Sequence, residues 1–235
     1  MSVVGAEHGV DAGRGPPSGR LEREFFARPV EQLAMALLGM RLVRSRAGGD
    51  RSVGRIVEVE AYGGPDDRAS HARSGRTRRN ATMFGQAGHA YIYRVYGLHT
   101  CLNIVGNAPG SVGAVLVRAV MPLGDLSAIR RRRDRPGRRP MPEARLASGP
   151  GNVGAAFDIG LELDGVDLTA AGPLWLELDE NDIDGSTVEP ASRPSDVMRG
   201  PRIGVEYAGP GWADAQLRFA LRGEPAISRP FPPGS

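Results

Sequence analysis

The hydrophobic pattern changes period several times along the chain. Val30, Leu33, Leu37 and Leu38 recur at i, i+3, i+7 and i+8 behind Pro29, the spacing of an amphipathic helix with one buried face. Gly39 supplies a stop. From Gly54 to Tyr62 (GRIVEVEAY) the pattern alternates. It predicts a strand with Ile56, Glu58, Glu60 and Tyr62 on one face and Val57, Val59 and Ala61 on the other. Ala90–Tyr96 and Thr100–Val105 read as two strands joined by Gly97-Leu98-His99, a β-hairpin. Val112–Val120 is a further apolar strand, interrupted by Arg118. Asp125 is placed to cap a short helix running into Arg130–Arg133, and SGPGN (148–152) opens another. Leu174–Leu178, Arg202–Tyr207 and Leu217–Leu221 predict strands in the C-terminal half, with the acidic residues 179–200 as a surface loop.

Between these elements lie three segments without periodicity. Residues 1–20 are rich in Gly and Pro and read as a disordered leader. Residues 63–90 form a long polar loop with six charged residues between Asp66 and Arg78; loops of such length are functional or disordered. Arg130–Arg139 (RRRRDRPGRR) is expected to be a mobile loop. There is no internal repeat and no linker separating two cores. The expected fold is α+β: a single compact domain over residues 21–235, mostly an antiparallel curved sheet with flanking helices and a protruding β-hairpin.

Composition removes several classes of chemistry. Of the 235 residues 40% are hydrophobic, enough for a sizeable core. No apolar run approaches the roughly 18–20 residues of a membrane helix, and no secretory signal is visible. The single Cys101 excludes an internal disulfide framework and Cys-rich zinc sites, and fits a reducing cytosol. All 30 residues pooled as Lys+Arg are Arg. Without Lys there is no Walker-type phosphate loop and no Lys Schiff base. Charge is uneven: residues 51–150 hold 17 Arg against 7 acids, net +10, whereas residues 151–200 hold 2 Arg against 11 acids, net −9. A basic half is the footprint of a polyanion partner, or else a solvated surface.

Candidate chemistry gathers in the middle of the chain. Four of the five Tyr, Tyr62, Tyr91, Tyr93 and Tyr96, fall within 35 residues, with His71 and His89 among them. Strand propensity accounts for Tyr91–Tyr96, but less well for Tyr62 sharing a face with two carboxylates. Acids and aromatics together suit a pocket for a flat ring beside a general base. Glu58 and Glu60 are neighbours whose repulsion would raise one pKa; alternatively they decorate a solvent-facing strand. Glu60 is the better candidate because it stands where the strand ends and a pocket can open. Tyr96 at a hairpin tip either packs back on its own hairpin or wedges into a base stack. Arg118, if internal, needs a carboxylate such as Glu60 or a phosphate. Asn103, if buried, needs satisfied hydrogen bonds and could read a ligand edge. His71, His89, His99 and Cys101 lack convincing metal spacing, so no metal and no cofactor are expected.

The stretches RIVEVEAYGGPDDRASHA (55–72), RN (79–80), MFG (83–85), YIYRVYGLHTCLNIV (91–105), AVLVRAVMPL (114–123), LASGPGNVGAAFDI (146–159), PRIGVEYAG (201–209) and LRFALRG (217–223) closely resemble the alkyladenine, or 3-methyladenine, DNA glycosylase family. The likeness is collinear over about residues 21–230. It implies a monofunctional base-excision enzyme hydrolysing the N-glycosidic bond of purines flipped out of double-stranded DNA, with alkylated purines as the main class and deaminated purines as a further one. By this resemblance Glu60 is the general base that activates water. Tyr62, His71 and Tyr93 line the flipped-base pocket, and Tyr96 intercalates in place of the extruded nucleotide. Asn103 obstructs the 2-amino group of guanine, and Arg118 helps hold the water and backbone near Glu60. A cytoplasmic, nucleoid-associated monomer without a membrane partner is expected. Two departures stand out: Asn152 where many members carry Lys, and Val59 where many carry Thr. The rival readings are a non-catalytic nucleic-acid-binding module and a carbohydrate hydrolase using Glu58 with Glu60.

Overall fold

The computed structural model describes residues 19–106, 110–178 and 196–235. Its centre is one eight-stranded sheet in which every strand pair is antiparallel. The strands are β1 (Arg41–Ser45), β2 (Arg51–Tyr62), β3 (Ala90–Val95), β4 (His99–Val105), β5 (Ala114–Leu123), β6 (Leu174–Glu177), β7 (Val197–Gly200) and β8 (Arg218–Leu221). The order is β3-β4-β5-β2-β1-β6, with β8 also on β2 and β7 on β8. The long β2 makes this branching possible. Residues Arg51–Arg55 pair with β1 and Glu58–Glu60 pair with β8 on one edge, while β5 runs along the other. The expected α+β class and mostly antiparallel sheet are what the chain adopts.

The helices among the described residues are α1 (Arg23–Phe26), α2 (Val30–Leu37), α3 (Ser127–Arg133), α4 (Glu143–Leu146) and α5 (Pro150–Ala156), and one face of the sheet is apolar and covered by helices. Ile92, Leu102, Ile104, Val115, Val117, Val59 and Ala61 join one core with Leu33, Ala34 and Leu37 of α2 (Val30–Leu37) and Val153 and Ala156 of α5 (Pro150–Ala156). Pro29 precedes α2, and Gly39 follows it with φ +91°, a left-handed conformation that glycine adopts without a Cβ penalty. The N-cap of α3 (Ser127–Arg133) is Leu126, one residue later than read, and Asp125 before it accepts the Ser127 N–H at 2.9 Å, satisfying a free donor of the first turn. Among the described residues no helix is long and apolar enough to cross a membrane.

The strict alternation predicted for β2 is broken. Register shifts lie on either side of Glu58, and Ile56 and Val59 both belong to the main core. Val57 instead packs with Ala119 and Ala226 in a separate cluster. Ile56 therefore does not share a face with Glu58, Glu60 and Tyr62. A local irregularity of this kind re-aims the side chains that follow it, and here it sits next to the carboxylates.

Other expectations also need correction. The hairpin turn is Tyr96-Gly97-Leu98, one residue earlier than read, so Tyr96 belongs to the turn. Arg202–Tyr207 is not a strand: Arg202 is committed to Asp67 and the Ala61 carbonyl, and a 3-10 turn spans Glu206–Ala208. β1 went unread because two Arg flank its short apolar run, and β7 emerges from the segment read as an acidic loop, of which residues 179–195 lie outside the described residues. The Arg-rich stretch is helical through Arg133 and tethered. Arg132 donates to the Ala156 carbonyl at 2.9 Å and the Ser52 hydroxyl at 2.6 Å, and Arg133 to the Leu146 carbonyl and Asn152 Oδ1, both at 2.7 Å. Asn152 is thus held by the Arg133 guanidinium. Of the expected leader, residues 1–18 lie outside the described residues, while Arg20 already bridges to Glu177 and Leu21 is buried.

Candidate active site

Strand register builds the site on the sheet face opposite the main core. Tyr91 pairs with Asn103, Asn103 with Leu116, Leu116 with Glu60, and Glu60 with Arg218. Directly opposed residues point to the same side, so one row across five strands carries Tyr91, Asn103, Leu116, Glu60 and Arg218. Tyr93 lies opposite Cys101 and Tyr62 opposite Ala114 in the flanking rows. Over this face opens a cavity of about 560 Å³. Glu60, Tyr62, His71, Tyr93, Tyr96, Asn103 and Arg118, the seven residues singled out from sequence, all line it.

Glu60 exposes no surface to bulk solvent. Its Oε1 accepts the Ile203 N–H at 2.7 Å and lies 3.1 Å from Arg118 Nη1; its Oε2 accepts the Tyr62 hydroxyl at 2.8 Å. Burial raises its pKa above the ordinary Glu value, and the Glu58 charge adds to this, while Arg118, Ile203 and Tyr62 act in the opposite sense. The Tyr62 phenol is itself held well above its usual range by burial and by the Glu60 carboxylate, so it remains a donor. With one donor on Oε2, a lone-pair direction on that oxygen is left for a water proton.

Glu58 is not a second carboxylate of the cavity. It is wholly buried and does not line the opening. Arg118 Nε (3.0 Å), Arg218 Nη1 (3.3 Å) and the Ser228 hydroxyl (2.9 Å) all reach its Oε1, and the Ser228 N–H donates to Oε2 at 2.6 Å. This disposes of a solvent-facing strand, and it removes the geometry that a two-carboxylate sugar hydrolase would need.

The walls are aromatic. The His71 and Tyr93 rings meet edge to face with centroids 4.5 Å apart, and Tyr91 and Tyr93 lie 5.5 Å apart. His71 Nδ1 is 2.8 Å from the Tyr91 hydroxyl. Burial, with Arg79 and Arg73 nearby, lowers the His71 pKa and favours the neutral imidazole. Burial pushes the Tyr91 phenol up to about 12, raises Tyr93 further, and pushes the Cys101 thiol up to about 11. Cys101 is therefore a protonated wall group and not a ready nucleophile. Asn103 is buried and gives its amide N–H to the Tyr91 carbonyl at 3.1 Å.

Loop 63–89 is pinned over this face. Asp67 forms a buried pair with Arg202 at 2.6 and 2.9 Å, and its Oδ2 accepts the Gly63 N–H at 2.9 Å. The Arg202 guanidinium stacks 4.7 Å from the Tyr62 ring centre. Asn80 donates to the carbonyls of His71 (2.8 Å) and Gly75 (3.0 Å) and accepts from Thr77. Asn80 thus fixes the turn that presents His71. Sequence reasoning missed Ile203, Arg202 and Tyr207, which come from the segment read as a strand, and it noted Tyr91 only as part of the tyrosine cluster. Buried Arg202 carried a signal: an Arg beside Pro and Gly in a stretch that otherwise reads as apolar.

At the cavity rim Tyr96 is 91% and Leu98 81% exposed. Tyr96 and Gly97 have φ of +52° and +70°, and the Leu98 N–H closes the turn on the Val95 carbonyl at 3.1 Å. Two central residues with positive φ match the hairpin twist, but a tyrosine there is strained.

A model of the family described as Methylpurine-DNA glycosylase (MPG) matches residues 24–225. A protein of Anaeromyxobacter dehalogenans with the provisional description 3-methyladenine DNA glycosylase is 44% identical over 219 residues, 92% of this chain and 88% of its own length. One of Methanocella arvoryzae with the same description is 41% identical over 219 residues, 90% of this chain and 97% of its own. The DNA-3-methyladenine glycosylase of Mus musculus is 40% identical over 216 residues, 90% of this chain and 62% of its own. The chain belongs to the methylpurine-DNA glycosylase family.

Proposed function

We propose that this protein is a DNA-3-methyladenine glycosylase of base excision repair, and that its cavity receives a damaged purine turned out of duplex DNA. The observation that carries this reading is Glu60: a buried carboxylate with a raised pKa, fixed by three donors in a cavity walled by Tyr62, His71 and Tyr93. A base inside a duplex cannot be reached at its glycosidic bond, so the nucleotide must leave the stack. The strained, exposed Tyr96 is positioned at the rim to fill the gap. Exposed Arg73, Arg76, Arg78, Arg79 and Arg94 lie on the loop and strand that frame the opening and supply phosphate contacts.

In the step itself, water attacks C1′ and gives its proton to Glu60. The C1′–N bond breaks and its electron pair leaves with the base, producing a free purine and an abasic site. The carboxylate also stabilises the oxocarbenium-like sugar. Electron-rich rings and a neutral His71 favour an alkylated base that carries positive charge, and such a base departs as a neutral molecule. Arg118 fixes Glu60 on the side away from Tyr62. Asn103 stands in the same row as Glu60 and limits what can occupy the base edge. The chain has no Lys, so no side-chain amine is present to form a Schiff base at the abasic site, which supports hydrolysis without strand cleavage.

A duplex oligonucleotide carrying one hypoxanthine or one ethenoadenine tests this. The expected result is site-specific breakage after alkali and none before it. Binding of the same duplex with no alkali-labile site would leave only a non-catalytic binding module.

A further inference from the structure

The catalytic face has a second layer that the reaction above does not use. Every nitrogen of the Arg118 guanidinium is engaged, each with a different partner: Nε with Glu58 at 3.0 Å, Nη1 with Glu60 at 3.1 Å, and Nη2 with the Ser228 hydroxyl at 3.2 Å. That hydroxyl in turn donates to Glu58 at 2.9 Å, and the Ser228 N–H grips the other Glu58 oxygen at 2.6 Å. Ser228 belongs to the C-terminal segment, past residue 225 where the family match ends.

The segment is held firmly. Ala226 is buried against Val57 and Ala119, and the Ile227 carbonyl accepts from Ser148 at 3.4 Å. Arg218 donates to the carbonyls of Arg229 (3.2 Å) and Pro230 (2.9 Å) and lies 3.7 Å over the Phe231 ring. Arg218 also pairs with Glu58 at 3.3 Å, so one buried cluster of two carboxylates and two guanidiniums is closed by the tail.

We infer that Ser228 is a positioning residue for base excision: the segment Ala226–Phe231 is a strap that, through the Ser228 hydroxyl and Glu58, holds Arg118 to a single contact with Glu60. The inference rests on the reading of Glu60 as the base. A bidentate Arg118–Glu60 pair would be the stronger interaction in a site this buried. It would occupy the lone pairs that water needs and make Glu60 a weaker base. Glu58 and Ser228 prevent it by engaging the other two nitrogens. The groups facing Glu60 are Arg118 from β5, Glu58 and Tyr62 from β2, Tyr93 from β3, Cys101 from β4 and Arg218 from β8. Burial is the main cause that raises the Glu60 pKa, and of these groups Glu58 is the carboxylate that adds to it, against the lowering by Arg118.

The test is single-turnover excision from a hypoxanthine duplex, with duplex affinity, Tm and a pH profile measured alongside. Ser228→Ala is expected to slow excision about tenfold, the scale of one lost hydrogen bond to a charged group, with affinity within about twofold of wild type. Thr and Val at this position share a shape and differ in the hydroxyl. Ser228→Thr is therefore expected to excise about tenfold faster than Ser228→Val, even if both lower Tm. Glu58→Gln is expected to move the acid limb of the profile to lower pH. Equal rates for the Thr and Val variants, or an acid limb unmoved by Glu58→Gln, would overturn the inference. Glu60→Gln run in parallel separates the two ideas: excision surviving in that variant sinks the assignment of the base itself, whereas its loss with fast Ser228→Ala excision sinks only the strap.

Discussion

The cavity floor and the hairpin tip are 36 residues apart in the chain, from Glu60 to Tyr96, and are built on opposite principles. At the floor, charged groups are buried and paired: Glu60, Glu58, Arg118 and Arg218 close one network, and Asp67 and Arg202 close another. At the tip, two large apolar side chains stand in water on a turn whose first central residue is strained. Buried charge survives only with good geometry and satisfied hydrogen bonds, and at the floor the paired network supplies both. An exposed aromatic on a strained turn gains nothing in the free protein, and under the proposed function its cost is recovered against DNA. Under the proposed function, chemistry is preorganised at the floor and recognition is deferred to the encounter.

The sharpest way to break this comparison is at the floor. Glu60→Gln is expected to lower single-turnover excision by at least about 10³-fold, roughly 4 kcal/mol, while lesion-duplex binding persists. In the wild type the rate should fall as acid protonates Glu60, with a midpoint above that of an ordinary Glu because burial raises its pKa. A rate that stays flat down to the usual carboxylate range would mean that Glu60 is not titrating as the base.

Next in size is the pair behind the Tyr62 ring. Asp67→Ala leaves Arg202 buried without its carboxylate, and denaturant unfolding should report a loss of about 3 kcal/mol. Burial alone would raise the Asp67 pKa, but Arg202 and the N–H groups of Gly63 and Ala69 bring it below the ordinary value. Such a group stabilises the fold above its unfolded-state pKa and loses that contribution as pH falls through its folded-state pKa. The difference between wild type and variant should therefore narrow on acidification. A loss under about 1 kcal/mol at neutral pH would place the loop's anchorage elsewhere.

The smallest effects belong to the tip, and they should have opposite signs. Tyr96→Ala is expected to weaken binding to a paired lesion about tenfold, or about 1.4 kcal/mol, and to leave excision from a mismatched or already unstacked site nearly unchanged. Tyr96→Gly relieves the positive φ and should raise stability by up to about 1 kcal/mol while losing the same affinity. Unchanged affinity for paired lesions in both variants would leave the tip without a role in DNA.

How much of this was legible in the sequence depended on range. Periodicity found α2, the hairpin strands and β5 because one buried face repeats locally. The aromatic and acidic residues of the site could be named because they crowd into one stretch and carry the family's motifs. β1 and β7 were too short to show a period, and the parity switch in β2 left no mark because Val57 and Glu58 continue the alternation. Arg130–Arg139 reads as a mobile loop, yet the guanidiniums of Arg132 and Arg133 serve as tethers to carbonyls that only folding brings near.

The sequence by itself determined which side chains are available: an Arg-only cation set, one thiol, and a cluster of tyrosines, histidines and carboxylates in a basic half. Tertiary structure decided what each of them does. Glu58 and Glu60 are alike in the sequence and two residues apart, but strand register and the returning C-terminal segment enclose one in donors and open the other to a cavity. The reason is physical: a carboxylate's role is set by its solvation and by the charges within a few ångströms, and most of those charges arrive from residues far away along the chain.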